Sequence, residues 1–199
     1  MRIGIFIEPM GGLKTNILHW KNKINGELPM QPYCSHPPHS TLIHTEVNDA
    51  TKALGETAKL LSAFPAFGLR SEETDVFWKD RATGGGHTLV WKLLQSSHLH
   101  ELQLQIAETI APFSNESSVP GYVKVSPILL KSFELYGFPF VGDHWIPHMT
   151  IASLRVKSGH KLIEAFLCQS ETFQMKVEEV SCWRIEEDQH TLLERTTLQ

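Results

Sequence analysis

His39-Ser40-Thr41-Leu42 and His148-Met149-Thr150-Ile151 carry one pattern twice, 109 residues apart (39 to 148). In an extended strand, residues i and i+2 face the same side. Each stretch therefore puts one His and one Thr on one face and sends Leu42 or Ile151 to the other. If the two strands face each other across a cleft, two imidazoles and two hydroxyls converge. That set suits phosphodiester chemistry. In-line displacement needs a base for the attacking oxygen and an acid for the leaving oxygen, and imidazole serves as either because it titrates near 6.5. Threonine hydroxyls and backbone N–H groups hold the charged non-bridging oxygens. Chance alone supplies about 0.8 His-x-Thr matches in a chain of this composition. The pair therefore gains its weight from its surroundings.

Outward from these stretches, Met1–Ile7 reads as a buried strand. Leu13, Ile17, Trp20 and Ile24 recur at helical spacing up to Asn25-Gly26. After a proline-rich stretch, His39–His44 reads as a short strand. Asn48 is expected to cap a helix through Phe64, with Leu54, Ala58 and Leu61 buried. Strands follow at Ala66–Arg70, Thr74–Lys79 and Thr88–Leu94, with a hairpin turn at Gly84-Gly85-Gly86. Ser97 is expected to cap a helix whose Leu99, Leu102, Ile106 and Ile110 share one face. Pro112–Gly121 reads as a polar loop, Tyr122–Val125 and Ile128–Tyr136 as strands, His148–Leu154 as a strand and Gly159–Leu167 as a helix. The chain ends on strands Phe173–Val177, Val180–Ile185 and Leu192–Leu198, the last two a hairpin around Glu187-Asp188. The mixture lacks strict βαβ alternation and predicts an α+β fold, mostly antiparallel, with outer helices. With no convincing linker, residues 1–199 read as a single domain.

The 199 residues include 18 basic and 22 acidic side chains, net charge −4. A long nucleic acid is normally gripped through many phosphates by a basic face; this balance argues against a long-duplex grip and leaves room for one small or terminal phosphate. Three cysteines, Cys34, Cys168 and Cys182, form no CxxC, which predicts a reducing, cytoplasmic setting rather than a disulfide framework. Ile3–Ile7 is too short for a signal-peptide core, and no apolar run approaches a membrane span.

Pro147-His148-Met149-Thr150-Ile151-Ala152 resembles the second signature of the two-histidine phosphoesterases, the LigT-like RNA 2′,3′-cyclic phosphodiesterases and 2′-5′ RNA ligases. His39-Ser40-Thr41-Leu42 resembles their first. Leu89-Val90-Trp91-Lys92-Leu93 with the following helix is similar to the family's central strand and helix. The resemblance spans nearly the whole chain. It implies a bilobal fold with two pseudo-symmetric lobes around a central cleft. It also implies metal-independent chemistry without a cofactor, His39 and His148 as the catalytic acid and base, and Thr41 and Thr150 as phosphate-binding residues. By this analogy His148 is the base and His39 the acid. Ser40 departs from the hydrophobic residue usual there, Pro37-Pro38 precede the first motif without a polar lead-in, and the wide separation implies an insertion, assigned to Pro112–Gly121.

Trp145, three residues before His148, and Tyr33 are candidates for stacking on a base, with packing the alternative for Trp145. Tyr136 is a weaker candidate of the same kind. Lys124, Lys131 and Arg155 are candidate phosphate-facing charges. Cys34, His36, His39 and His44 match no common zinc spacing. His87, His98, His100, His160 and His190 read as solvent-facing or capping residues. The expected activity is hydrolysis of a 2′,3′-cyclic phosphate on an RNA end or small nucleotide, by a monomer. The alternatives are cleavage or joining of 2′-5′ linkages, a nucleotide- or RNA-binding module with little turnover, and a structural domain with fortuitous motifs.

Overall fold

Ile3, Phe6 and their neighbours are apolar without alternation, and a strand so composed must be covered on both faces. In the computed structural model, which describes residues 1–115, 118–186 and 189–199, that strand is β1 (Arg2–Ile7). It is buried from Ile3 onward and runs between two neighbours. The chain continues through α1 (Gly11–Glu27), β2 (Ser40–Glu46), α2 (Ala50–Ala63), β3 (Phe67–Asp80), β4 (Gly86–Leu93) and α3 (Ser97–Ile110). Next come α4 (Gly121–Lys124), α5 (Pro127–Tyr136), β5 (His148–Leu154), α6 (Lys161–Leu167), β6 (Gln174–Val177), β7 (Glu179–Glu186) and β8 (Gln189–Thr197).

The strands form two antiparallel four-stranded sheets, in orders β2-β1-β7-β8 and β5-β4-β3-β6. This is the expected α+β architecture of two related lobes. The run β1-α1-β2-α2 is repeated as β4-α3-β5-α6, apart from the α4–α5 segment. The edge strands β2 and β5 meet at Cα separations of 8 Å or less, so the two His-x-Thr strands lie where the lobes join. One apolar core runs under both sheets, with Trp91 of β4 and Phe166 of α6 fully buried. Each such side chain contributes ~1.5–3 kcal/mol through burial. No helix among the described residues is long and apolar enough to cross a membrane.

Several boundaries differ from the sequence reading. Tyr122–Val125 and Ile128–Tyr136 are helical, not extended. The Ser126 hydroxyl accepts from the Leu129 N–H, Pro127 opens α5 where its missing N–H costs nothing, and Gly137 closes it at φ 66°. These end signals outweigh the β propensity of the apolar residues between them. The α2 cap is Asp49 rather than Asn48, and the α3 cap is Ser96 rather than Ser97. The buried stripe of α2 is Ala53, Thr57 and Leu61, with Leu54 partly covered. Ala66–Arg70 and Thr74–Lys79 belong to one strand whose pairing shifts between Ser71 and Thr74. The added length between the motifs is largely α4 and α5, which have no counterpart between α1 and β2. The turn assigned to Glu187-Asp188 lies outside the described residues; Glu186 and Gln189 pair on either side of it.

Candidate active site

A cavity of about 580 Å³ is lined by residues of both sheets, among them His39, Thr41, His148 and Thr150. The period-2 alternation of a strand explains why. His39, Thr41, His148 and Thr150 are half-buried, whereas Ser40, Leu42, Met149 and Ile151 between them are fully buried. Both strands also carry a bulge at the residue after the Thr. Ile5 and Phe6 of β1 pair with Ile43 and Thr41, leaving Leu42 extra, and Leu89 and Val90 of β4 pair with Ala152 and Thr150, leaving Ile151 extra. A bulge adds local twist and re-aims neighbouring side chains.

The two imidazoles are held alike. Nδ1 of His39 lies 2.7 Å from the Pro37 carbonyl, and Nδ1 of His148 lies 2.7 Å from the Ile146 carbonyl. A carbonyl oxygen only accepts, so each Nδ1 carries the proton and donates it. Each Nε2 is left with its lone pair when the ring is neutral, which is the tautomer a general base needs.

Aromatic rings back both histidines. Phe6 stacks on His39 at 3.9 Å between centroids and 18° between planes, and Phe77 meets His148 edge-on at 4.9 Å. Phe6 reaches that position because Gly4, two residues earlier on the same face, has no side chain. A Cβ at Gly4 would collide with the Phe6 ring. Burial dominates the titration of both histidines. It pushes His39 down to about 3; its bond to Pro37 opposes this, and His190, Lys21 and His36 add to it. Burial also pushes His148 down, opposed by its bond to Ile146 and by the Asp80 carboxylate. The free cleft at neutral pH thus holds two neutral imidazoles.

Trp145 lines the cavity but is only 4% exposed, and its indole N–H donates to the Thr41 carbonyl at 3.0 Å. Of its two readings, packing is the one the geometry supports, since little of the ring is open to a base. Tyr33 is half-buried in the cavity wall, with its ring against His36 at 5.3 Å. Lys124, Lys131 and Arg155 are not among the lining residues. The lysine that does line it is Lys21 of α1, 4% exposed, whose amine donates to the Tyr33 carbonyl at 2.6 Å and the Ile151 carbonyl at 2.8 Å. It was legible as an anomaly: it sits four residues after Ile17, on the apolar stripe of its helix, where a charge requires partners.

His190, expected to face solvent or cap, instead lines the cavity 5.7 Å from the His39 ring and 4.5 Å from His36. His87 is buried, and its Nδ1 accepts from the Lys79 N–H. His160 caps α6 as expected. Cys34 donates its thiol to the Lys21 carbonyl. Among the described residues no three His, Cys, Asp or Glu are grouped to hold a metal ion.

A family model described as the 2′-5′ RNA ligase superfamily matches residues 16–189. The chain belongs to this superfamily. Superfamily members are phosphoesterase and ligase enzymes. Similar solved structures include TT0787 of Thermus thermophilus (15% identity, TM-score 0.63, covering 100% of this chain and 98% of that one). E. coli LigT, in a complex with NADP+, is 17% identical with TM-score 0.57, covering 99% and 97%. Usb1 of Kluyveromyces marxianus is 11% identical with TM-score 0.50, covering 99% and 98%. At such identities the likeness is one of fold. No curated protein matches the chain.

Proposed function

We propose that this superfamily member hydrolyses a phosphodiester on a ribonucleotide, with a 2′,3′-cyclic phosphate on an RNA end or small nucleotide as the best-fitting substrate. The observation that carries the reading is the matched pair of Nδ1-anchored histidines lining one cavity with Thr41 and Thr150. The cavity volume falls in the range of small-molecule sites. E. coli LigT, of similar fold, has been solved with NADP+, with 3′-AMP and with ATP, which supports a small nucleotide as the occupant.

In the proposed reaction a water oxygen attacks phosphorus in line. One imidazole Nε2 takes the water proton, the bond to one ribose oxygen breaks, and the second imidazole gives its proton to that oxygen, leaving a phosphomonoester. Thr41 and Thr150 hold the non-bridging oxygens. Lys21, His36 and His190 disfavour a proton on His39, whereas Asp80 favours one on His148. This charge pattern favours His39 as base and His148 as acid, the reverse of the family analogy. Cleavage or joining of 2′-5′ linkages uses the same four residues and is the second reading, favoured by the superfamily match itself.

The test is turnover of a panel of 2′,3′-cyclic nucleotides and 2′-5′ oligonucleotides, followed by ³¹P NMR, for the wild type, His39→Ala and His148→Ala. The expected result is ring opening of a cyclic phosphate and a loss of about 10²–10⁴-fold in each variant. Selective turnover of 2′-5′ linkages would favour the second reading. Near-normal turnover by either variant overturns the two-histidine mechanism.

A further inference from the structure

We propose that Lys21 and Gln103 are paired positioning residues, which set the separation of His39 and His148 by tying the strand of each motif to the loop leading into the other. The proposal starts from the two bulges. An extra residue in a strand leaves its backbone out of the ladder, and a buried carbonyl so freed needs a donor. The carbonyl of Leu42, the extra residue of the first motif, accepts from Gln103 Nε2 at 3.1 Å. The carbonyl of Ile151, the extra residue of the second, accepts from Lys21 Nζ at 2.8 Å.

Each donor crosses between the lobes. Lys21 belongs to α1, which follows β1 in the first repeat, yet it holds β5 of the second. Gln103 belongs to α3, which follows β4 in the second repeat, yet it holds β2 of the first. Correspondingly, α1 packs on β5 and α3 packs on β2.

Each donor also has a second grip. Lys21 Nζ donates to the Tyr33 carbonyl at 2.6 Å, in the loop that leads to His39. Gln103 Nε2 donates to the Phe140 carbonyl at 3.1 Å and its Oε1 accepts from the Gly142 N–H at 3.0 Å, both in the loop that leads to His148. Both side chains are almost wholly buried, at 4% and 0% exposure, and both stand four residues after a core residue, Ile17 or Leu99. Sequestered from water, the Lys21 amine is pushed down to about 8 by burial. Core packing alone would favour an apolar side chain at either position. The hydrogen bonds across the lobe boundary account for a Lys and a Gln there.

The substitutions are Lys21→Met and Gln103→Leu, which keep approximate volume and remove the donors, with Lys21→Arg as the conservative partner. The kinetic arm rests on the proposed acid–base pair. There kcat should fall about 10–100-fold, since displacing a reacting group by ~1 Å costs about 10²-fold, while KM moves by less than about threefold. Lys21→Arg should recover much of the loss. Because both clamps set one distance, the double variant should lose less than the product of the two single losses.

A second arm needs no turnover. The imidazole nitrogens of ¹⁵N-histidine-labelled protein are followed by NMR during titration with inorganic phosphate. In the wild type the His39 and His148 rings should shift together with one dissociation constant. In each variant one ring should stop responding. If either variant keeps native chemical shifts, wild-type kcat and a joint two-ring response, the proposal is overturned. If neither variant folds, Lys21→Gln, which keeps a donor on a side chain one atom shorter, decides: loss of the joint His39–His148 phosphate response supports the proposal, and a wild-type joint response overturns it. A wild type with no turnover but a joint phosphate response would reject the proposed activity and leave the clamp standing.

Discussion

A phosphodiester that enters the cavity should bring a proton with it. Burial holds His39 down to about 3 and pushes His148 down as well, so the free cleft lacks the charged imidazole that a general acid requires. A phosphodiester carries one negative charge. At ~4 Å and an effective dielectric constant of ~20 its attraction to an imidazolium is ~4 kcal/mol, or ~3 pKa units. Acting on the acid of the pair, it lifts a depressed imidazole back towards its ordinary range. The proton taken up belongs to the coupled pair rather than to one ring.

The sign follows from the two limits. Between the low pKa of the free cleft and the higher one of the complex, binding consumes a proton, so affinity tightens about tenfold for each pH unit lost. Above the higher value no proton is consumed. The assay is titration calorimetry with thymidylyl-3′,5′-thymidine, which has no 2′ hydroxyl and whose phosphodiester does not titrate in this range. Run at pH 5 and pH 8 in buffers of different ionisation enthalpy, it should report net proton uptake at pH 5 and close to none at pH 8. In turnover, kcat/KM reports the free enzyme and kcat the complex, so both profiles should be bell-shaped with the kcat bell displaced to higher pH. Measurable binding without proton uptake at pH 5, together with superimposable bells, would refute the reasoning.

Thr41→Val and Thr150→Val keep the strand shape and remove a hydroxyl from the cavity wall; each should raise KM and lower kcat/KM about 10–100-fold, measured by steady-state kinetics, since a hydrogen bond to a charged group is worth ~1.5–3 kcal/mol. Gly4→Ala should displace Phe6 from the His39 ring and lower kcat by ~10-fold or more, with a changed His39 signal in the imidazole NMR spectrum. Burial pushes His44 down to about 4, and its Nε2 is buried without a partner among the described residues. The native state therefore binds fewer protons than the unfolded one, and the stability from a neutral His44 is complete above ~6.5 and lost as pH falls towards 4, ~2 kcal/mol at pH 5. Urea denaturation of His44→Leu at pH 7.5 and pH 5 should show that much less acid destabilisation than wild type. Exhaustive treatment with EDTA should leave turnover unchanged; restoration of a lost activity by a divalent ion would reject the metal-independent scheme.

Much of the fold was legible because it depends on local periodicity. The unbroken apolar run of β1, the stripe of Leu99, Leu102, Ile106 and Ile110, and the His-x-Thr alternation each express a repeat of 2 or 3.6 residues that the chain carries in itself. Where end signals compete with propensity, local reading failed: Ser126, Pro127 and Gly137 make α5 a helix although its apolar residues favour a strand. The sequence also determined which residue types alternate to one face of β2 and β5. Only the tertiary structure decided that those faces line the same cavity, because the contact joins edge strands of different sheets more than a hundred residues apart. It likewise brought His190 beside His39 from the far end of the chain, and gave the out-of-place Lys21 and Gln103 their carbonyl partners. A charge on an apolar stripe announces that a partner must exist; which backbone carbonyl answers it depends on how the lobes pack, and no spacing along the chain encodes that.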